Sequence, residues 1–292
     1  VLGATVQPEA AVIFDWENRW ALEDAHGFTR EKKYEETCKR HYLPFWKLGV
    51  PVDVINEDCD FSRYRLLIAP MLYMVRKGVG ERITEFVANG GTFVATYLSG
   101  TVDENDLCFL GGFPGPLRKV LGIWAEENDA LYDGDVNHVV MQPGNALGVQ
   151  GKYEARELCD LIHLETAQAL AVYEGDFYAG RAAVTVNKHG KGEAYYIASR
   201  NEDRFLDDFY QSVVKKLGLN RVIKAELPLG VTAQLRTDGL RDFVFLLNFT
   251  NESRTVNLQD EEFFDLLTNE TLRGTLDLQP YGLRILRGGL YK

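Results

Sequence analysis

Leu66-Leu67-Ile68-Ala69-Pro70 restricts the fold more than any other segment, because every residue in it is apolar and a proline stops it. A short run without polar alternation reads as a strand covered on both faces, the condition of strands in a parallel sheet. Ala10 to Asp15 and Val52-Asp53-Val54-Ile55 read as strands before it, and Thr92 to Tyr97 as one after it. Helical patterns separate them. From Arg30 to Leu48, residues Tyr34, Cys38, Tyr42 (or His41), Phe45 and Leu48 recur at helical spacing. Val79, Ile83, Phe86 and Val87 mark a second helix, which Asn89-Gly90-Gly91 ends because glycine accepts the left-handed cap conformation. Strands and helices alternating through short connections predict an α/β domain, a parallel sheet in a three-layer sandwich with right-handed crossovers.

The first strand runs into Val12-Ile13-Phe14-Asp15-Trp16-Glu17-Asn18-Arg19-Trp20, where apolar residues give way to alternating aromatic and charged ones. This reads as a buried strand ending in a functional loop, since loops beyond the carboxyl ends of such strands gather around ligands and partners. Trp16, Glu17, Arg19 and Trp20 are therefore expected to form a contact surface. The competing expectation is that both indoles fold back as a lid on the sheet, as tryptophan is highly buried on average. Thr101 to Pro116 is a second conspicuous loop, rich in Gly and Asp and expected beside the first. Loops of that length inside a domain are usually functional or interfacial.

Further along, Ala182 to Val186 and Glu193 to Ala198 flank the turn Lys188-His189-Gly190-Lys191-Gly192 and predict a hairpin. Phe205, Leu206, Phe209, Val213, Val214 and Leu217 then line one face of a helix that stops at Gly218. From about Val222 the pattern changes to short strand candidates: Val231 to Leu235, Phe243 to Phe249, Thr255 to Leu258, Phe264 to Leu267, Thr275 to Leu278 and Arg284 to Leu286. These predict a small antiparallel β-sandwich domain that leans on a neighbour, because so short a segment buries little surface by itself. The domains are drawn at 1–220 and 221–292.

Composition bounds the function. With 292 residues, 46% hydrophobic and 26% charged, the chain has material for roughly two domains and a substantial core. A net charge of −11 disfavours a phosphate backbone as partner, which requires clustered Lys and Arg. No window is long and apolar enough to span a bilayer, and the start lacks the basic-then-apolar order of a signal peptide, so no membrane partner and a cytoplasmic location are expected. Cys38, Cys59, Cys108 and Cys159 show neither zinc nor redox spacing and are expected as free, mostly buried thiols. The opening Val1-Leu2-Gly3-Ala4 carries no initiator methionine, from which we expect a chain cut from something longer.

Catalytic signals are weak. The strand–loop–helix order resembles the class I glutamine amidotransferase scaffold, whose nucleophile sits on the sharp turn after a strand such as Thr92 to Thr96. Here that turn is Thr96-Tyr97-Leu98-Ser99-Gly100, with no cysteine and no Gly-x-Ser-x-Gly elbow, and Ser99 reads as a cap or loop hydroxyl. Gly78-Val79-Gly80 lacks the third glycine of a dinucleotide fingerprint and reads as the relaxed start of a helix. No two of the five histidines fall at i, i+4, and no metal site or cofactor is proposed. Glu126-Glu127 and Glu261-Glu262 are neighbours that a strand would point to opposite faces, which suits solvated surfaces. A glycosidase barrel requires eight strand–helix repeats, and only about four precede the hairpins.

Val12 to Glu23 resembles the signature that opens the trimerisation domain of glycoside hydrolase family 42 β-galactosidases. Asn89-Gly90-Gly91-Thr92-Phe93-Val94-Ala95-Thr96-Tyr97-Leu98-Ser99-Gly100-Thr101-Val102-Asp103-Glu104-Asn105-Asp106, continued by Gly111 to Arg118, resembles that domain's central strand and loop. Asp265-Leu266-Leu267-Thr268 with Gln279-Pro280-Tyr281-Gly282 is similar to the family's carboxyl-terminal β domain. The resemblance implies a trimerisation domain over 1–220 and the carboxyl-terminal domain over 221–292, with the catalytic barrel and its glutamates elsewhere. It implies a homotrimer of an enzyme that cleaves terminal β-galactosides with retention, in which the middle domain builds the assembly and helps enclose the active site. No catalytic residue is carried over. Trp16, Glu17, Arg19, Trp20, Tyr97, Asp103, Asn105 and Arg118 are the candidates for contact with the barrel or a neighbouring subunit, since interface anchors tend to be Trp, Tyr and Arg. Two other readings stay open: a stand-alone sugar-binding or interaction module in which Trp16 and Trp20 stack on a sugar face, and a hydrolase on the amidotransferase-like scaffold.

Overall fold

In the computed structural model, which describes residues 1–27 and 29–288, the apolar runs become strands of one sheet. The chain first forms β1 (Ala10–Ile13), α1 (Trp16–Asp24), α2 (Tyr34–Leu48), β2 (Val52–Ile55), β3 (Leu66–Ala69), α3 (Val79–Ala88), β4 (Thr92–Thr96) and a short α4 (Arg118–Leu121). β1, β3 and β4 are buried along their whole length and pair in parallel, Ala10 opposite Leu66 and Ile68 opposite Val94. Uninterrupted burial is why their sequences show no alternation. Gly78, left-handed at φ 85°, precedes the first turn of α3 as the relaxed helix start the sequence implied.

The parallel sheet is only half of the layer. Residues 122–173, where periodicity gave no assignment, supply β5 (Ile123–Ala130), β6 (Asn137–Met141), β7 (Lys152–Leu164) and β8 (Gln168–Tyr173). The expected hairpin follows as β9 (Ala182–His189) and β10 (Gly192–Ile197), then β11 (Ser199–Asn201) and α5 (Asp203–Leu217). The strand order is β11-β7-β6-β8-β9-β10-β4-β3-β1-β2, with β5 also on β7. β10 lies parallel to β4 and antiparallel to β9, so this hairpin converts a parallel sheet into an antiparallel one. The pairing of β5 with β7 shifts register between Ala125 and Glu127, and Glu126 and Glu127 are both exposed, as expected of solvated residues. Such a bulge interrupts the strict alternation of a regular strand.

The chain divides into two compact units, one of residues 10–41 and 54–217 and one of residues 1–9, 42–53 and 218–292. The smaller unit contains β12 (Val231–Thr237), β13 (Asp242–Asn248), β14 (Arg254–Asp265), β15 (Glu270–Leu278) and β16 (Leu283–Gly288), all paired antiparallel. Their order is β12-β13-β16-β14-β15 in one sheet, where two facing sheets were expected from the sequence. The candidates Thr255 to Leu258 and Phe264 to Leu267 are largely one long strand, β14, interrupted by a register shift between Asn257 and Glu262. Val244, Leu246, Val256, Leu258, Leu278 and Leu286 form its core. Residues 1–9 and 42–53, which the sequence division assigns to 1–220, join this unit through specific bonds. Thr5 bridges to Thr237, the Thr232 hydroxyl donates to the Trp46 carbonyl at 3.0 Å, and the Trp46 and Phe249 rings lie 5.7 Å apart. Residues 289–292, assigned by sequence to the β domain, lie outside the described residues.

Of the four thiols, Cys38 and Cys159 are buried, Cys59 is half-buried and Cys108 is exposed. The expectation of mostly buried thiols therefore holds for two. Cys108 falls in the run of exposed residues 104–108 within the 101–116 loop.

Candidate functional site

The parallel strands end on a common edge, and the residues just after them carry most of the unusual chemistry of the larger unit. After β1, the Asp15 carboxylate accepts hydrogen bonds from the backbone N–H groups of Glu17 and Asn18 at 3.0 and 3.1 Å. That is an N-cap, and it satisfies donors a helix start leaves open. Trp16 to Trp20 is consequently the beginning of helix α1 and not a loop: an aspartate ahead of helix-compatible residues outweighs the irregular look of the alternation. Asn18, 1% exposed, fixes the helix to the segment after β3, its amide donating to the Met71 carbonyl at 3.0 Å and accepting from the Met74 N–H at 2.9 Å. The inner side of α1 supplies Ala21 and Leu22 to a core with Tyr34, Cys38, Met71, Tyr97 and Leu98.

The indoles point the other way. Trp16 and Trp20 are 54% and 59% exposed, so they do not form a lid over the sheet. Trp16 rests edge-on against Phe14 at 5.2 Å and beneath the Arg19 guanidinium at 5.2 Å. Arg19 is held by Glu23 and Glu35 at 3.0 and 2.9 Å. Trp20 joins Glu17, Ala21, Glu23, Asp24, Met74, Glu104 and Asp106 around an open cavity of about 690 Å³. Two of these residues come from the 101–116 loop, which stands beside α1 as expected.

Arg76, six residues beyond the end of the run Leu66 to Pro70, collects four carboxylates. It reaches Glu17 at 2.8 Å, Asp15 at 3.0 Å, Asp58 at 3.2 Å, and Glu57 through its Nε. Glu57 is 1% exposed, and its Oε2 is buried with no hydrogen-bond partner. Burial pushes its carboxyl up to about 7 against the opposing pull of Arg76. Glu57 thus contributes an ionisable core residue that is not among the candidates read from the sequence. The strand-end logic that found Asp15 after β1 would have found Glu57 after β2.

The other sequence candidates divide. Asp103 organises its own loop, its carboxylate accepting from the Asn105 and Leu107 N–H groups at 2.8 and 3.1 Å, while Asn105 is exposed. Arg118 pairs with Glu165 and donates to the Gly111 carbonyl at 2.9 Å, with its guanidinium 5.8 Å from the Trp124 ring centre. Tyr97 does not belong with the surface candidates. It is 1% exposed, and its hydroxyl accepts from Arg200 Nε at 2.9 Å in the interior, because it follows a strand buried on both faces.

On the turn after β4, Leu98 occupies the left-handed region at φ 61°, as a nucleophile on such a turn would. Its N–H donates to the Asp160 carboxylate at 3.2 Å, and that fully buried acid is also bonded by the Tyr196 hydroxyl and the Asn128 amide, both at 2.6 Å. Burial raises the Asp160 carboxyl to about 6. A leucine side chain offers no thiol or hydroxyl for attack. Ser99 is a buried loop hydroxyl, accepting from the Leu72 N–H at 3.2 Å.

Residues 8–220 match the family model of the β-galactosidase trimerisation domain, and residues 230–288 that of the β-galactosidase C-terminal domain. The chain belongs to glycoside hydrolase family 42. It is 58% identical over 288 residues to β-galactosidase Pbg of Clostridium perfringens and 53% identical over 285 residues to β-galactosidase BglY of Alicyclobacillus acidocaldarius. These alignments cover 98% and 97% of the chain, and the chain spans 42% and 41% of those relatives. Among solved structures, the β-galactosidase of Rahnella sp. R3 superposes with a TM-score of 0.93 at 53% identity, over 97% of this chain and 41% of that one. The β-galactosidase of Bacillus circulans sp. alkalophilus superposes at 0.94 with 39% identity, over 98% and 42%. The family assignment, the α/β domain and the following small antiparallel β domain are therefore as the sequence resemblance implied.

Proposed function

We propose that this chain is the non-catalytic assembly portion of a β-galactosidase that hydrolyses terminal β-galactosides with retention. Residues 1–220 act as the trimerisation domain of a homotrimer and help enclose the active site, and 221–292 act as the carboxyl-terminal domain. The partners are the protein's own catalytic barrel and further copies of itself, in the cytoplasm. No helix among the described residues is long and apolar enough to cross a membrane.

The match of residues 8–220 to a domain described by its role in trimerisation carries this reading. Two further observations support it. Trp16 and Trp20 are large, half-exposed indoles on one helix held rigidly from below by Asn18, the arrangement of an interface anchor. The strongly buried acids Glu57 and Asp160 are each engaged by donors of the fold, Arg76 for one and Tyr196, Asn128 and Leu98 for the other. Retaining hydrolysis instead needs two carboxyl groups about 5 Å apart flanking a sugar.

The test is light scattering and galactoside kinetics on the full-length protein with Trp16 and Trp20 both changed to Ala. A loosened trimer or impaired turnover is expected; unchanged assembly together with unchanged kinetics discards the anchor role. Residues 1–292 alone should not release a chromogenic aglycone from a β-galactoside, and turnover by them would end the non-catalytic reading.

A further inference from the structure

Arg76 holds the start of α1, through Asp15 and Glu17, to the segment after β2, through Glu57 and Asp58. With every carboxylate ionised, four negative charges share one guanidinium. One of the four is badly placed for a charge: Glu57 is 1% exposed and keeps an oxygen buried without a partner. Its other charged neighbour is Arg82 on α3, but that guanidinium is spent on the backbone carbonyls of Glu57, Asp58 and Cys59. An ionised carboxylate in such a position loses hydration that its bond from Arg76 replaces at one oxygen only.

We propose that Glu57 is a proton-operated latch on helix α1. When Glu57 carries a proton, Arg76 is left to Asp15 and Glu17, and the helix that displays Trp16 and Trp20 is fastened. When Glu57 ionises, it draws Arg76 toward itself, the four carboxylates repel one another, and the first turn of α1 loosens. Burial places the Glu57 transition near neutrality, at about 7 against an ordinary 4.5. The sign follows from proton uptake: between those two values the folded chain binds more protons than the unfolded one, so stability falls as pH rises through that window and is level above it. The latch stands independently of what α1 touches.

Hydrogen–deuterium exchange of the α1 amides in the full-length protein, corrected for the intrinsic pH dependence of exchange, reads the latch directly. From about pH 5 to about pH 9 the protection of residues 16–24 is expected to drop in a single step centred near 7. Glu57→Gln, nearly the same shape and never charged, should hold the high-protection state throughout. Asp58→Asn removes an exposed carboxylate from the same guanidinium and should keep the step. A step that survives in Glu57→Gln overturns the proposal, and so does a flat profile in the unmodified protein, which requires no variant to fold.

Discussion

Helix α1 and the five-stranded sheet of the smaller unit are stabilised by different physics, although both rest on residues with almost no exposure. The core cluster of the sheet is built from apolar side chains, among them Leu246, Val256 and Leu286, each 0% exposed. Under α1 the decisive contacts are directional, from Asn18 to Met71 and Met74, from Asp15 to the helix start, and from Arg76 to its carboxylates. Apolar burial tolerates small displacements and depends on volume. Directed polar contacts fix position and orientation, and they leave a stranded partner when one member is lost. A helix that presents two indoles outward needs the second kind of support, because the outward residues contribute little burial to hold it.

Substitutions at four positions would break or sharpen this contrast. Leu246→Ala should be the most damaging, costing about 3 kcal/mol through lost transfer energy and the cavity left behind, read as a lowered urea midpoint. Asn18→Ala should cost about 2 kcal/mol, since the Met71 carbonyl and the Met74 N–H both lose their partner in a buried place. If Asn18→Ala proved neutral while Asn18→Leu proved stabilising, α1 would be held by burial after all. Asp15→Ala should cost about 1 kcal/mol as a lost cap, visible as faster amide exchange confined to the first turn of α1. Glu23→Gln, which breaks an exposed pair with Arg19, should change the urea midpoint by less than about 0.5 kcal/mol equivalent. An effect larger than that of Asp15→Ala would reverse the ranking on which the contrast depends.

Much of this fold is legible residue by residue. Continuous apolar runs located β1, β3 and β4, helical spacing located α2, α3 and α5, and the glycines at Lys188 to Gly192 located the β9–β10 turn. β5 to β8 were missed for identifiable reasons. β5 and β7 are bulged and partly exposed, β7 alone runs through thirteen residues of mixed polarity, and neither the period of a strand nor that of a helix survives such shifts. At the site, Glu17 and Trp20 are the candidates that border the cavity, to which the 101–116 loop contributes Glu104 and Asp106 in place of Asp103 and Asn105, and Asn18, Glu57 and Arg76 were overlooked. Each is a single polar residue that no periodicity marks, and each matters because of a partner well separated from it along the chain.

The likeness to glycoside hydrolase family 42 came from motif residues; separately, what the sequence determined by itself was periodicity, which stretches bury both faces and which bury one, and therefore an α/β layer followed by a small antiparallel β domain. Local signals suffice for that because burial patterns repeat within a few residues. Tertiary structure alone decided that both indoles of the Trp16 to Trp20 segment turn outward, that Tyr97 faces inward, and that Glu57 lies buried against Arg76. Those outcomes depend on which polar groups remain unsatisfied once distant strands have paired, and no neighbour in the sequence records that.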